Sequence, residues 1–216
     1  MKVNLLIITL FIFSVSNAQI KKGNLFIGGD VYLSISNATN INANNENTHS
    51  SSFGFSPSVG WVTKDNLVVG ATILTSFTNN EYSPYGSNKS YKIGAGIWMR
   101  KYLPIGKSFY LFGNGMLAAQ PVYSYNSNST QPGNKERGYS IDVILVPGIA
   151  YQVNKGLFLE AAFNKIFSLG YTRTNVEYQN ANNTNSKRVT NFFGLSSGIG
   201  SSAPLQLGVR WMIVRK

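Results

Sequence analysis

The 216-residue sequence contains no cysteine and a single histidine. Without cysteine there is no disulfide framework and no thiol-linked lipid anchor. One histidine, His49, with Glu46 as its only nearby acid, does not make a metal site. Beyond position 18 there is no apolar run of the ~18 residues a membrane-crossing helix needs. Neither GxxxxGK[ST] nor GxGxxG occurs, so no phosphate-cradling loop is encoded. Acids are scarce: 8 Asp and Glu stand against 19 Lys and Arg, for a net charge of +11. Such a balance can serve nucleic acid, anionic lipid or acidic polysaccharide.

The first segment narrows that choice. Met1-Lys2 is a basic start, residues 3–15 are apolar, and Ser16-Asn17-Ala18 are small residues at cleavage positions. This reads as a secretory signal peptide over 1–18, cut before Gln19, leaving one domain over 19–216. Secretion argues against nucleic acid. Much of the positive charge falls in short polar breaks, at Lys21, Lys22, Lys64, Lys101, Lys107 and Lys155, where it reads as solvated turns.

What the chain has in quantity is alternation: 43% of its residues are hydrophobic and 13% aromatic. In a strand, successive side chains point to opposite faces. Near the C-terminus Leu207, Val209, Trp211 and Ile213 share one face, and Gln206, Gly208, Arg210 and Met212 the other. The same odd-apolar pattern predicts strands over 25–35, 53–63, 67–77, 90–103, 109–123, 139–153, 157–171 and 206–214. Pro57 cannot donate to a ladder, so a bulge is expected there. Lys165 falls on the apolar parity, which predicts a phase slip or an interfacial position.

The connections alternate in length. Polar stretches at 37–52, 78–89, 124–138 and 172 to about 202 read as long loops. Lys64-Asp65-Asn66, 104–107 and Asn154-Lys155-Gly156 read as short turns. Long loops at one end, short turns at the other and apolar stretches of ~9–11 residues are the pattern of outer-membrane barrels. The expected fold is all-β: an eight-stranded antiparallel up-and-down transmembrane β-barrel with short periplasmic turns and long extracellular loops.

With odd side chains toward lipid, the charged interior candidates are Asp30, Lys92, Arg100, Asp142, Glu160 and Arg210. Arg210 is expected to neighbour Glu160 and Asp30. A buried charge is costly unless paired, so these six are expected to form a structural polar network. An eight-stranded interior is only wide enough to be filled by side chains.

Over residues 23–216 the chain resembles the small eight-stranded outer-membrane proteins, such as the OmpA transmembrane domain, OmpX and OmpW. It is similar above all to Asn-rich, PorT-like outer membrane protein β-barrel domains. The resemblance rests on strand pattern and on the terminal signal, a polar residue, a Gly two positions on, then alternating hydrophobics: Gln206, Gly208, Trp211 and Ile213. The chain departs from the family's aromatic last residue, ending Val214-Arg215-Lys216.

The resemblance implies an outer-membrane location. It implies a lumenal salt-bridge network rather than an open pore, and contact with outer-membrane lipid and lipopolysaccharide. It also implies recognition of the last strand by the barrel-assembly machinery. No cofactor and no catalytic residue is expected, and the role is structural or one of surface interaction with an extracellular ligand. Tyr82, Tyr85, Tyr123, Tyr125 and Tyr178 suit such contacts, and Lys135, Arg137, Lys187 and Arg188 are placed for lipopolysaccharide phosphates.

Two other readings make distinct demands. Passive transport of small apolar molecules, as in OmpW-like barrels, calls for a lumen lined by Phe26, Tyr32, Phe112, Met116 and Phe158 up to a lateral gap. A lipid A-modifying enzyme of the PagL type calls for a Ser–His pair on the wall, here His49 beside Ser50, Ser51 and Ser52.

Overall fold

The computed structural model describes residues 20–40, 46–83, 86–128, 134–163, 166–179, 185–197 and 205–214. The leader over 1–18, the cleavage point before Gln19, and Tyr85 and Lys165 lie outside them, as does the side chain of Tyr178. The strands are β1 (Leu25–Asn40), β2 (Glu46–Lys64), β3 (Leu67–Ser83), β4 (Gly86–Pro104), β5 (Phe109–Asn128), β6 (Asn134–Gln152), β7 (Leu157–Phe163), β8 (Phe167–Gln179), β9 (Asn185–Ser196) and β10 (Leu205–Ile213).

All ten lie in one antiparallel sheet. β1 pairs with both β2 and β10, and β5 pairs with both β4 and β6. The strands β1-β2-β3-β4-β5-β6-β7-β10 therefore form a closed ring of eight. β8 prolongs the line of β7 along β6, and β9 pairs with β8. The end bearing β8 and β9 is called the upper end below.

The parity expected from sequence sets the two faces. Along the lower half of β4, Trp98, Arg100 and Tyr102 are buried while Ile97, Met99 and Leu103 are exposed. Around the ring the exposed odd residues are mostly apolar: Ile27, Val31, Phe55, Ile73, Leu117, Val143, Ile149 and Leu207 among them. The interior is filled from below by Phe26, Tyr102, Tyr110, Phe112 and Phe158, with Val62, Val68 and Met212 beneath.

The lower turns are short for local reasons. Asn66 takes a left-handed conformation (φ 61°), which asparagine tolerates because its short polar side chain bonds nearby backbone. Its side-chain oxygen accepts the Ile20 N–H at 2.9 Å, and its own N–H reaches the Ile20 carbonyl at 2.9 Å. Ile20 is thereby drawn under the ring, where it is buried. Between β6 and β7, the Asn154 side chain accepts the N–H groups of Gly156 and Leu157, both at 2.9 Å.

Three expectations are corrected. The polar stretches read as long loops are largely strand: the β1–β2 ladder continues to Asn40↔Glu46, and the β3–β4 ladder to Tyr82↔Gly86. Serine, threonine and asparagine side chains bond across these upper strands, as in Ser50–Asn80 (2.6 Å), Ser52–Thr78 (3.1 Å) and Ser124–Asn88 (2.9 Å). A ladder in water needs no apolar face, so composition does not reveal it.

Pro57 makes no bulge. Phe55↔Thr75 and Ser58↔Thr72 keep one register on either side of it, and the shift in β2 lies between Val62 and Lys64. The Thr72 hydroxyl donates to the Pro57 carbonyl at 2.9 Å, and Thr75 bonds both backbone groups of Phe55. Side chains thus serve backbone groups beside the missing donor. Finally, the seventh expected strand is in two pieces, β7 and β8, and β9 lies within the stretch read as the fourth long loop.

Candidate functional site: a charged layer over an aromatic floor, beside an open seam

Midway up the interior lies a layer of four charges from four strands. Glu160, on β7, is at its centre. One carboxylate oxygen accepts from Arg210 Nε (2.7 Å) and from an Arg100 terminal nitrogen; the other accepts the Tyr102 hydroxyl at 2.6 Å. Arg210, on β10, also donates from Nη2 to both oxygens of Asp30 on β1, at 2.9 and 2.8 Å, and from Nη1 to the Ser58 hydroxyl on β2. Arg100 donates from Nε to Asn114 at 3.4 Å. Its guanidinium lies 4.4 Å from the centre of the Phe112 ring, a cation–π contact favoured where water is excluded. Arg210, Glu160 and Arg100 are 2, 4 and 5% exposed, which puts them out of reach of bulk solvent.

Glycine makes this layer sterically possible. Gly208 sits in register with Asp30 on one side and Glu160 on the other. A Cβ there would fall 2.4 Å from the Asp30 carboxylate. Gly28 faces Arg210, and a Cβ on it would meet the Val209 carbonyl at 2.2 Å. The Arg210 stem therefore has space to cross the interior only because its neighbour has no side chain.

Below the charges is the aromatic floor. Phe158 is fully buried, with the rings of Phe26, Tyr110 and Tyr102 centred 5.5, 5.8 and 6.4 Å away. Above them the interior narrows to a space of about 60 Å³ bordered by Asp30, Ser58, Trp98, Asn114 and Gln206. That is room for a few water molecules.

Of the six interior charges read from sequence, the structure joins Asp30, Arg100, Glu160 and Arg210. Lys92 and Asp142 also face inward, on upper β4 and β6, but among the described residues no ion pair ties them to the layer. These two sit higher in the interior and are only half-buried. Tyr102, Ser58 and Asn114 were not anticipated in the layer. Their even parity was the available signal.

Gln206 and Gly208 face inward, while Trp211 and Ile213 face out. His49 lies on the outer face of upper β2, where its ring bonds the Asn37 side chain at 2.5 Å rather than a serine hydroxyl. Phe26, Phe112 and Phe158 belong to the floor beneath the charges, so they do not line a path upward.

Among the described residues, the β1–β10 ladder does not run the whole height of the ring. β1 pairs with β10 only from Leu25 to Val31, and above that β1 pairs with β2 alone. β9 pairs with β8 alone. Among the described residues, upper β1 and β9 thus each have one edge without a ladder. Side chains on both faces of β9 are open: Phe192 and Phe193 are 63 and 70% exposed. Adjacent residues point to opposite faces, so neither face of β9 is covered.

No family model and no curated protein matches this chain. Among solved structures it is similar to the outer membrane protein OprG from Pseudomonas aeruginosa, at 12% identity over 89% of this chain and 97% of that one, with a TM-score of 0.50. The translocator domain of the autotransporter NalP from Neisseria meningitidis matches at 11% identity over 97% and 95% of the two chains, TM-score 0.42. The β domain of the Bordetella autotransporter BrkA matches at 11% identity over 90% and 100%, TM-score 0.41. The first likeness extends to the fold.

Proposed function

We propose that the chain is an integral outer-membrane protein, an eight-stranded barrel without enzymatic activity that is sealed at its periplasmic end and presents extended strands to the outside. The fold it shares with an outer-membrane protein supports this reading, as does the outward apolar band. On β4 that band runs from Tyr91 to Met99, with the outward Lys101 below it, and a tilted strand of that length covers the ~25 Å apolar band of such barrels. Trp61, Phe109, Tyr151 and Trp211 lie at its lower margin, and Tyr91, Tyr123 and Tyr139 at the upper, as interfacial aromatics do. The C-terminal strand with Gln206, Gly208, Trp211 and Ile213 serves in this reading as the mark for the barrel-assembly machinery.

The observation that carries a non-conducting role is the stopped interior: a salt-bridged layer resting on packed rings. Its function is then structural or one of surface recognition, through the polar upper strands. Reconstituted in a planar bilayer, the protein is expected to stay electrically silent. Steady single-channel conductance in the wild type would overturn the sealed reading.

Among the described residues, the unpaired edges of upper β1 and β9 support a second reading, lateral passage of small apolar molecules from the upper interior into the bilayer. Phe192, Phe193 and Leu195 lie on β9. Cells producing the protein are expected to accumulate an apolar fluorescent probe several-fold faster than cells lacking it. Equal rates would leave only the structural role.

A further inference from the structure

The registers align outward side chains into rows around the upper ring. One row reads Ile35, Ser51, Asn79, Lys89, Tyr125, Lys135, Glu177 and Lys187 across eight strands. The row beneath it includes Tyr91, Tyr123, Arg137 and Asn175. Below that, Pro121, Tyr139 and Arg173 are aligned. The cations are one-sided: they fall on β4, β6, β8 and β9, whereas β1–β3 contribute Ile35, Ser51 and Asn79 to the first row.

Lys187 is engaged with Glu177 at 3.1 Å, and this hydrogen bond holds the Glu177 carboxyl below its usual range. Among the described residues, Lys89, Lys135, Arg137 and Arg173 make no ion pair at contact distance; Lys135, opposite Glu177 in the ladder, and Arg137 act on that carboxylate only through space, and Lys187 already holds it. Lys135 and Arg137 are two apart on one strand face. Arg173 is the diagonal cross-strand neighbour of Arg137, within ~7–8 Å by strand geometry. Tyr123, Tyr125 and Tyr139 interleave with them, which sets these cations at the level where aromatic belts meet lipid headgroups.

A second feature lies lower, on the adjoining strands β1–β5, and meets the cationic side at Ile141 of β6. A hollow of about 830 Å³ opens on the outer face, where Pro57, Ala71, Ala95 and Ala119 leave a depression between larger neighbours such as Ile97 and Ile141. Ala119 is six residues from Tyr125, and Ile141 four from Arg137. At ~3.3 Å per residue, this is roughly 13–20 Å along a strand. An acyl chain hanging from a headgroup at the cationic rows reaches that depth.

We propose that this wall binds one phosphorylated lipid, its phosphate held by Lys135, Arg137 and Arg173 and one chain laid in the alanine hollow. The cationic rows fit the charge of the phosphate, and arginine's planar fork suits its oxygens. The hollow fits the chain. This site rests on the transmembrane reading above, and the test separates the two.

Wild-type protein is first refolded into vesicles and checked for protease protection. If the chain does not insert, the transmembrane reading falls, and the site with it. The inserted protein is then moved to neutral-detergent micelles and titrated with dioleoyl phosphatidate or dioleoyl glycerol, under native mass spectrometry. Wild type is expected to retain one phosphatidate at least tenfold more tightly than the uncharged lipid. The Lys135→Gln/Arg137→Gln/Arg173→Gln variant should lose about tenfold in phosphatidate affinity, and Ala95→Phe/Ala119→Phe about threefold. Lys64→Gln/Lys101→Gln, near the opposite rim, should bind as wild type does. Equal retention of the two lipids, an unaffected triple variant, or an equal loss in the opposite-rim variant would overturn the site while leaving the membrane reading intact.

Discussion

Glu160→Ala is expected to lower the unfolding free energy by about 3–5 kcal/mol, the range for breaking a buried ion pair by removing one partner. The carboxylate is the shared acceptor for Arg100, Arg210 and Tyr102. Its loss leaves Arg100 with the Asn114 oxygen and faces of aromatic rings, and Arg210 with Asp30 and Ser58. Arg210→Ala should cost less, because Glu160 keeps Arg100 and the Asp30 side chain, 18% exposed, has some access to water. Urea unfolding of vesicle-inserted protein, followed by tryptophan fluorescence, gives the ranking. A Glu160→Ala transition that overlays the wild type would show that the layer contributes no net stability. Replacing all four charges together need not be destabilising, since well-packed apolar groups often replace a buried ion pair without loss.

Phe158→Ala is expected to cost about 3–5 kcal/mol as well, the range for truncating a buried aromatic ring. The mechanism differs. Phe158 carries no charge, but it fills the centre of the floor, with three aromatic rings within 6.4 Å. The hole left behind cannot close by a small shift, because its neighbours are anchored on strands β1, β4 and β5 of a closed ring. The same urea titration checks it. A loss below about 1 kcal/mol would mean that the floor relaxes freely, contrary to the close packing described.

These residues illustrate what the chain reveals when read alone. Alternation in Leu207-to-Ile213 and in each earlier strand discloses which side chains face in, and from that the company of Arg210, Glu160 and Asp30 follows. A period of two names a face without naming the partner across the interior. The reach of Arg100 from β4 to Glu160 on β7 was therefore hidden, as was Tyr102, whose hydroxyl contributes to the layer while its ring belongs to the floor. Above the apolar band the pattern loses contrast. Strands such as 37–40 and 46–52 are polar on both faces, so their composition matches that of a loop. The seam was hidden for the same reason: whether an edge is paired depends on register, which uniform serine and asparagine do not fix.

The interruptions in the wall carry one further consequence. Between Ala162 and Phe167 the chain advances five positions while its partner β6 moves three, from Gly148 to Leu145. Between Ser196 and Leu205 it advances nine while the facing strands move five, from Ser168 to Phe163. The surplus is even each time, so inside and outside are preserved across both breaks. Inside β8, by contrast, there is no such surplus: deleting Ser168 would turn the rest of that strand over, putting Tyr171 and Glu177 toward the cavity and Thr172 and Thr174 toward the surroundings.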